Sequence, residues 1–116
     1  TNEKNNKNYE KIISNQDNDI LYLTRSDAPH AFRMKSKPFK RHQDFITFSP
    51  DFITKFYYLK NRDLENYEGI ELLRVLENNY SIGTIKLKND SFSINTKQDL
   101  LKSLLLIQKD KLRKLY

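Results

Sequence analysis

The C-terminal segment, TKQDLLKSLLLIQKDKLRKLY over residues 96–116, constrains the fold more than any other part of the sequence. Thr96 is placed as an N-cap, with Asp99 three residues later as in a capping box. The leucines fall on one face at helical spacing: Leu101, Leu104, Leu105, Leu112 and Leu115. This pattern predicts one amphipathic helix that covers a core. A peptide-binding or membrane-lying helix is the alternative.

Short stretches rich in β-branched and aromatic residues precede this helix and predict strands. One strand is expected over 19–25. A hairpin is expected from 45–49 and 53–59, joined by the Ser-Pro-Asp turn at 49–51. The stretch 69–79, GIELLRVLENN, fits both a strand and a short helix, and its flanking Gly and Asn-Asn favour a strand.

Two further strands are expected on either side of Asn89-Asp90. Ile85 and Leu87 alternate there with lysines, as a half-buried strand requires, and Phe92 and Ile94 repeat the alternation. Counting all candidates, the sequence predicts six or seven short strands followed by the terminal helix.

Composition excludes several classes of protein. The 116 residues suit one domain, and the chain has no Cys, so disulfides and thiol catalysis are excluded. Two Gly rule out a phosphate-binding P-loop. No signal peptide or run of 18 apolar residues is visible. The two His lack a patterned carboxylate, and no nucleophile arrangement stands out. We therefore expect no enzyme, no catalytic residue, no cofactor and no metal.

Several stretches, in order, resemble the pleckstrin-homology (PH) family. They are PFKRHQDFITFS at 38–49, FYYLKN at 56–61, GIEL at 69–72, and FSINT at 92–96 before the final helix. The helix lacks the Trp usual in that family. The chain is rich in Asn, Lys, Ile and Tyr, which is typical of an AT-rich genome. In this respect the chain is similar to the acylated PH-domain proteins of apicomplexan parasites.

The resemblance implies a mainly β fold: a strongly bent, seven-stranded antiparallel β-sandwich or barrel, capped by one C-terminal amphipathic helix. It would occupy residues 19–116, after a flexible polar N-terminal segment at 1–18.

The formal charge of +6 favours phosphate-bearing partners. The resemblance places Arg25 and Lys40 at headgroup-binding positions, with His42 or Arg41 in the third place. We expect the full headgroup site to consist of Arg25, Arg33, Lys35, Lys37, Lys40, Arg41, His42 and Tyr57. Phe32 and Met34, apolar residues in the basic loop, are candidates for insertion into a bilayer.

These features predict a non-catalytic, monomeric module that docks on anionic membrane phospholipid through a basic hairpin formed by the first two expected strands, 19–25 and 45–49. The headgroup would be phosphatidic acid or a phosphoinositide. The location would be cytoplasmic, peripheral on a membrane surface. A protein-interaction module with a partner along the C-terminal helix is the alternative. Nucleic-acid binding, by stacking on the aromatics of ITKFYYLK, is less favoured.

Overall fold

The computed structural model describes residues 6–35, 39–43, 45–87, 93–94, 96–110 and 112–115. Within them lies a three-stranded antiparallel sheet in the order β2-β1-β3. The strands are β1 (Lys11–Ser14), β2 (Ile20–Thr24) and β3 (Lys40–Arg41). Four α-helices follow: α1 (Pro50–Tyr58), α2 (Asp63–Glu68), α3 (Leu72–Glu77) and α4 (Lys97–Lys109). A 3-10 turn, Leu112–Leu115, comes last.

The hydrophobic core lies between β2 and α3. Its buried members are Ile20, Leu23, Ile70, Leu72, Leu73 and Val75. In β2, the side chains of Ile20, Leu23 and Thr24 are buried while that of Leu21 is exposed, and Ile20 and Leu23 belong to the core. The strand expected over 19–25 is therefore confirmed.

Strand β1 lies inside the segment 1–18 that was expected to be flexible. It is the central strand, and it pairs with β2 and β3 (Ile12 with Leu23, and Lys11 with Arg41). The hairpin β1–β2 thus crosses the expected boundary at residue 18. Backbone pairing on both sides of β1 stabilises the strand conformation of residues 11–14.

The expected seven-stranded β-barrel is wrong, and α1 shows one physical reason. Ser49 is the N-cap, Pro50 occupies the first turn, and Asp51 adds a favourable negative charge there. Phe52 and Phe56, one helical turn apart, stack against Phe48 with ring centroids 6.1 and 5.3 Å away. This packing along one face outweighs the β-propensity of residues 53–59, which were expected to form a strand.

The expected strand at 69–79 is wrong as well. Gly69 ends α2 in the left-handed region, with φ of 62°, and its N–H donates to the carbonyl of Glu65 at 2.8 Å. Helix α3 follows and buries Leu72, Leu73 and Val75 against β2. Gly69 is thus a helix C-cap and does not introduce a strand.

The remaining expected strands are absent from the described residues. Residues 45–49 form no strand, and 81–87 contribute only the isolated bridge from Gly83 to Asp19. The expected turn at Asn89-Asp90 and the alternation at Phe92 lie outside the described residues.

The helix expected near the C-terminus is confirmed as α4. The side chain of Thr96 accepts from the N–H of Asp99 at 3.1 Å, and the carboxylate of Asp99 accepts from the N–H of Thr96 at 2.9 Å. Its expected role as the cap of a barrel is wrong, because the only buried residue that the structure describes in α4 is Ser103.

Candidate functional site

A cluster of polar side chains lies at the end of β2, where the residues before β1, the end of β3 and the end of α2 meet. We call it the Arg25 cluster. It consists of Glu10, Tyr22, Thr24, Arg25, His42 and Glu68. Residues up to 58 positions apart in sequence belong to this cluster. The sheet brings β3 beside β1, and the hydrogen bond between Arg25 and Glu68 holds the end of α2 at the end of β2.

Glu68 holds the end of β2 to α2. Its carboxylate accepts from the hydroxyl of Thr24 at 2.6 Å, from the backbone N–H of Arg25 at 2.8 Å and from the hydroxyl of Tyr22 at 3.5 Å. The pKa of Tyr22 is raised, first by burial and then by the negative charge of Glu68. Glu68 is thus well supplied with donors and serves as a fixed anchor.

The guanidinium of Arg25 connects three segments of the chain. Its Nε donates to the carbonyl of Glu68 at 3.0 Å, and its Nη2 donates to Oε1 of Glu10 at 2.8 Å. Weaker bonds run to the carbonyls of Lys7 and Gly69, each at 3.3 Å. Most of the five donors of Arg25 are therefore engaged within the protein, so its main role is to position neighbouring groups.

Glu10 and His42 form a carboxylate–imidazole dyad beside Arg25. Nδ1 of His42 lies 2.9 Å from Oε2 of Glu10, and the two side chains are 12% and 18% exposed. Because a carboxylate only accepts, Nδ1 carries the proton in this contact, and the neutral ring keeps its lone pair on Nε2. Nε2 has no hydrogen-bond partner among the described residues. The dyad can therefore accept a proton.

Lys11 lies beneath the cluster and is fully buried. Its ammonium donates to the carbonyls of Arg25 at 2.8 Å, Asn6 at 3.2 Å and Tyr9 at 3.3 Å. Burial lowers the pKa of Lys11, while the charges of Asp27 and Glu68 oppose that shift. Its three donors are all used, so this lysine supports the cluster from below and does not face a ligand.

A second ionic contact belongs to the helices and is structural. Nε of Arg74 donates to Oε2 of Glu65 at 2.6 Å, and the guanidinium lies 5.3 Å from the ring centre of Phe56. The hydrogen bond with Glu65 raises the pKa of Arg74. Both side chains are thus committed to joining α2, α3 and α1.

A cavity of about 350 Å³, lined by uncharged residues, lies against α3. Residues 46–49 and 80–83 form its walls, and Leu72 and Val75 form its buried floor. Phe52 and Tyr80 meet edge to face in its lining, 5.0 Å between ring centroids.

The structure separates most of the cations that the sequence grouped together. Only Arg25 and His42 meet in one cluster. Lys40 binds the side chains of Ser14 and Asn18, while Arg41 lies 4.8 Å from the ring centre of Tyr9. Neighbouring residues on a strand point to opposite faces, so Lys40 and Arg41 do not converge.

The other expected site residues lie apart from the Arg25 cluster or on a loop. Arg33 and Lys35 are exposed on the loop that follows β2, as are Phe32 and Met34 at 82% and 80% exposure. Tyr57 is exposed on α1, with its ring against Tyr58. Lys37 lies outside the described residues.

Sequence reasoning missed the anionic half of the cluster, Glu10 and Glu68. They lie 15 and 43 residues from Arg25, and no spacing rule links such distant positions. One weak signal was present: Glu68 directly precedes Gly69, whose left-handed conformation ends α2 and fixes where the helix terminates.

Two further properties of the described residues concern metal binding and membrane insertion. Among the described residues, no three His, Asp or Glu side chains come together as a possible metal site. None of the helices described has both the length and the apolar character needed to cross a membrane.

Comparison with known proteins gives a consistent result. The chain is 33% identical over 98 residues to 3-deoxy-manno-octulosonate cytidylyltransferase from Acaryochloris marina, covering 84% of this chain and 40% of that protein. It is 36% identical over 89 residues to the protein of the same name from Rickettsia prowazekii, covering 77% of this chain and 35% of that protein. The chain thus spans well under half the length of these curated relatives. No protein-family model matches it.

The fold is similar to that of a solved CMP:2-keto-3-deoxy-manno-octonic acid synthetase complexed with CTP. The TM-score is 0.84 at 21% identity, and the match covers 92% of this chain and 44% of the solved chain. At this identity the likeness concerns the fold. It agrees with the short sheet and four helices described above.

These comparisons overturn the expectations drawn from the PH resemblance. The relatives and the solved neighbour are named as nucleotide-using enzymes, so the PH assignment and the expected non-catalytic lipid-binding or PH-like interaction module are wrong. The expected phospholipid partner is wrong for the same reason. The physical reason lies in the fold, because the expected basic hairpin of 19–25 and 45–49 does not form: β2 lies within 19–25, but residues 45–49 form no strand.

Proposed function

We propose that this chain is part of a cytidylyltransferase that transfers CMP from CTP to a 3-deoxy-octulosonate sugar acid. The observation that carries the proposal is the identity of 33% and 36%, over 84% and 77% of the chain, to two proteins of that name. The chain spans only 40% of the A. marina enzyme. The proposal therefore concerns the contribution of this chain to the reaction, and the remaining residues of the active site would come from the rest of the fold.

The reaction requires one proton acceptor and several donors for anionic groups. A sugar hydroxyl attacks the α-phosphorus of CTP, a new P–O bond forms, the bond to the β-phosphate oxygen breaks, and pyrophosphate leaves. The hydroxyl proton must pass to a base. Catalysis of this kind depends mainly on positioning the reactants and stabilising charge.

The Glu10–His42 dyad suits the role of proton acceptor. Glu10 holds the proton on Nδ1 of His42, 2.9 Å away, which leaves the lone pair of Nε2 for the sugar hydroxyl. Arg25 fixes the orientation of Glu10 through its own bond at 2.8 Å.

Arg33 and Lys35 suit the binding of anionic groups. Both are exposed on the loop that begins directly after Arg25 and Ser26, and the structure describes no hydrogen bond or ion pair for either side chain. The substrates carry a carboxylate and a triphosphate, which two exposed cations on a loop can contact. In this proposal, the loop binds the anionic groups of the substrates and not the lipid headgroup expected from the sequence.

A chimera tests the proposal. The region of the A. marina enzyme that matches this chain is replaced by this chain, and formation of pyrophosphate from CTP and 3-deoxy-manno-octulosonate is followed by ³¹P NMR. We expect activity within about a hundredfold of the parent enzyme, because a misplacement of reacting groups by about 1 Å can lower the rate by that factor. A chimera that melts cooperatively yet forms no product contradicts the proposal.

His42→Gln in the chimera tests the dyad. Removing a general base lowers the rate by about 10²–10⁴-fold. Lys40→Gln, on the same strand but bound to Ser14 and Asn18, is the matched control and should leave the rate unchanged. An unchanged rate in His42→Gln would assign the base elsewhere.

A further inference from the structure

Lys11 is a fully buried lysine on the central strand of the sheet, and the proposed reaction gives it no part. A lysine is rarely enclosed in this way, because removing an ammonium from water costs free energy unless hydrogen bonds replace those to water. Burial accordingly lowers the pKa of Lys11. The three hydrogen bonds that this ammonium donates show which parts of the molecule depend on it.

All three acceptors are backbone carbonyls, and two of them adjoin the Glu10–Arg25 ion pair. The carbonyl of Tyr9, at 3.3 Å, belongs to the peptide bond that precedes Glu10. The carbonyl of Arg25, at 2.8 Å, belongs to the residue whose guanidinium binds Glu10. The third acceptor, the carbonyl of Asn6 at 3.2 Å, lies at the start of the same N-terminal segment. One ammonium thus holds the main chain on both sides of this ion pair.

The segment 6–10 lies before the paired part of the sheet. Strand pairing of β1 begins at Lys11, so other contacts must hold the preceding residues in place. They include the two bonds from the Lys11 ammonium and one from the backbone N–H of His42, which donates to the carbonyl of Glu10 at 2.9 Å. Because Lys11 is fully buried, water does not compete for its bonds.

The position of Glu10 determines which nitrogen of His42 carries the proton. Oε2 of Glu10 lies 2.9 Å from Nδ1 of His42, and Oε1 lies 2.8 Å from Nη2 of Arg25. A carboxylate at Nδ1 keeps the proton there and leaves the lone pair on Nε2. If Glu10 moved away, a larger fraction of the neutral ring would carry its proton on Nε2, where it could not accept another.

We propose that Lys11 is a positioning residue: it fixes Glu10, and through Glu10 it selects the tautomer of His42 whose Nε2 accepts a proton. Lys11 acts from the interior, through the carbonyls of Tyr9 and Arg25, and contacts no substrate. The inference rests on the proposed function only for its effect on catalysis, since the tautomer is a property of this chain alone.

NMR of the imidazole ¹⁵N nuclei measures the tautomer in this chain, above the pH range in which the rings titrate. Lys11→Met removes the ammonium and keeps an unbranched apolar stem. The ratio of the Nδ1–H to the Nε2–H form of His42 should fall about fivefold or more, as expected when one hydrogen bond is lost. Lys55→Met, exposed on α1, is the matched control and should leave the ratio unchanged. His30, exposed on the loop after β2, is the internal reference.

Hydrogen exchange separates this effect from general loss of structure. The spectra are compared at a temperature at which the β1 and β2 amides of each variant remain protected, so that a change of tautomer cannot arise from unfolding.

Chemical rescue gives a second variant. Lys11→Ala removes the atoms from Cγ to Nζ, which together correspond to propylammonium. Added propylammonium should restore the Nδ1–H form of His42, because its three donors can again bind the carbonyls. 1-Propanol, which is uncharged and has one donor, is the control and should leave the ratio low.

In an active chimera, Lys11→Met should affect the chemical step more than substrate binding. We expect kcat to fall about ten- to a hundredfold, because a misplacement of about 1 Å can lower the rate by such a factor. KM for CTP should change by less than about threefold, since Lys11 contacts no substrate. Lys55→Met should leave both constants unchanged.

Several outcomes overturn the inference. They are an unchanged His42 tautomer in folded Lys11→Met, an equal shift in Lys55→Met, and rescue by 1-propanol as complete as that by propylammonium. Failure of both Lys11→Met and propylammonium-treated Lys11→Ala to fold also overturns it, because Lys11 would then support the whole fold. A tautomer shift in Lys11→Met, together with an inactive chimera, supports the positioning role while contradicting the proposed function.

Discussion

The β2–α3 core and helix α4 differ in how they are stabilised. Leu23 and Leu73 have no exposed surface and meet across the core, where β2 packs against α3. In α4, Leu101 and Leu105 are each 63% exposed, although the helix has a complete capping box. Local signals are sufficient to begin and end a helix. Burial depends on having a surface to pack against, and the described residues provide none for this face of α4.

The largest effect is expected where burial is complete. Leu23→Ala should lower the free energy of unfolding by about 3 kcal/mol, because it removes buried surface and leaves a cavity. Leu105→Ala removes the same atoms from an exposed position and should change stability by less than about 0.5 kcal/mol. Urea denaturation followed by circular dichroism gives both values. Equal losses would mean that the two regions are equally packed.

The next effect concerns the anchor of the Arg25 cluster. Glu68→Ala removes the acceptor of the Thr24 hydroxyl and the Arg25 N–H, bonded at 2.6 and 2.8 Å. We expect a loss of about 2 kcal/mol in the free energy of unfolding, typical of hydrogen bonds to a charged group. Glu71→Ala, exposed at the start of α3, is the control. If both variants unfold at the same urea concentration, Glu68 does not hold β2 to α2.

A smaller effect is expected at the cap of α4. Thr96→Ala should destabilise the first turns of α4 by about 1 kcal/mol, because the N–H of Asp99 loses its acceptor. Thr96→Ser keeps the acceptor and should behave as the parent. Hydrogen exchange of the α4 amides measures the local effect. A matching loss in the β1 and β2 amides would show that the two regions unfold as one unit.

The smallest effect is a change in alkaline titration. Burial and Glu68 raise the pKa of Tyr22, so the unfolded chain releases this proton first and stability falls as the pH rises above about 10. Tyr22→Phe should remove a late-ionising component from the absorbance at 295 nm and reduce that fall. Tyr57→Phe, at an exposed position, is the control and should leave the late component in place. An unchanged late component in Tyr22→Phe would contradict this assignment.

The predictable part of the fold was the part with local causes. β2 and the capped start of α4 follow from residues that act on their immediate neighbours. Helix α1 is predictable in principle, since Ser49, Pro50 and Asp51 are helix-start residues, but the same three residues also fit a turn between strands. The β-branched and aromatic residues that follow have strand propensity, and only the stacking of Phe52 and Phe56 on Phe48 outweighs it.

The candidate site was less predictable because its geometry is non-local. Arg25 and His42 were selected for their charge, and both belong to the Arg25 cluster. Their carboxylate partner Glu10 lies in the segment expected to be flexible. The period-two pattern at Ile85 and Leu87 predicts a strand, but residues 84–87 are irregular in the structure.

The position of Lys11 has a practical consequence for work at the N-terminal end. Two of the three carbonyls that receive its ammonium belong to Asn6 and Tyr9, within a stretch whose composition suggests a dispensable tail. Trimming the protein to begin at Glu10 would leave the buried ammonium of Lys11 with only one of these three acceptors, the carbonyl of Arg25. Anyone shortening this polypeptide for crystals or spectroscopy should therefore keep those first turns, since their main chain solvates the interior amine in place of water.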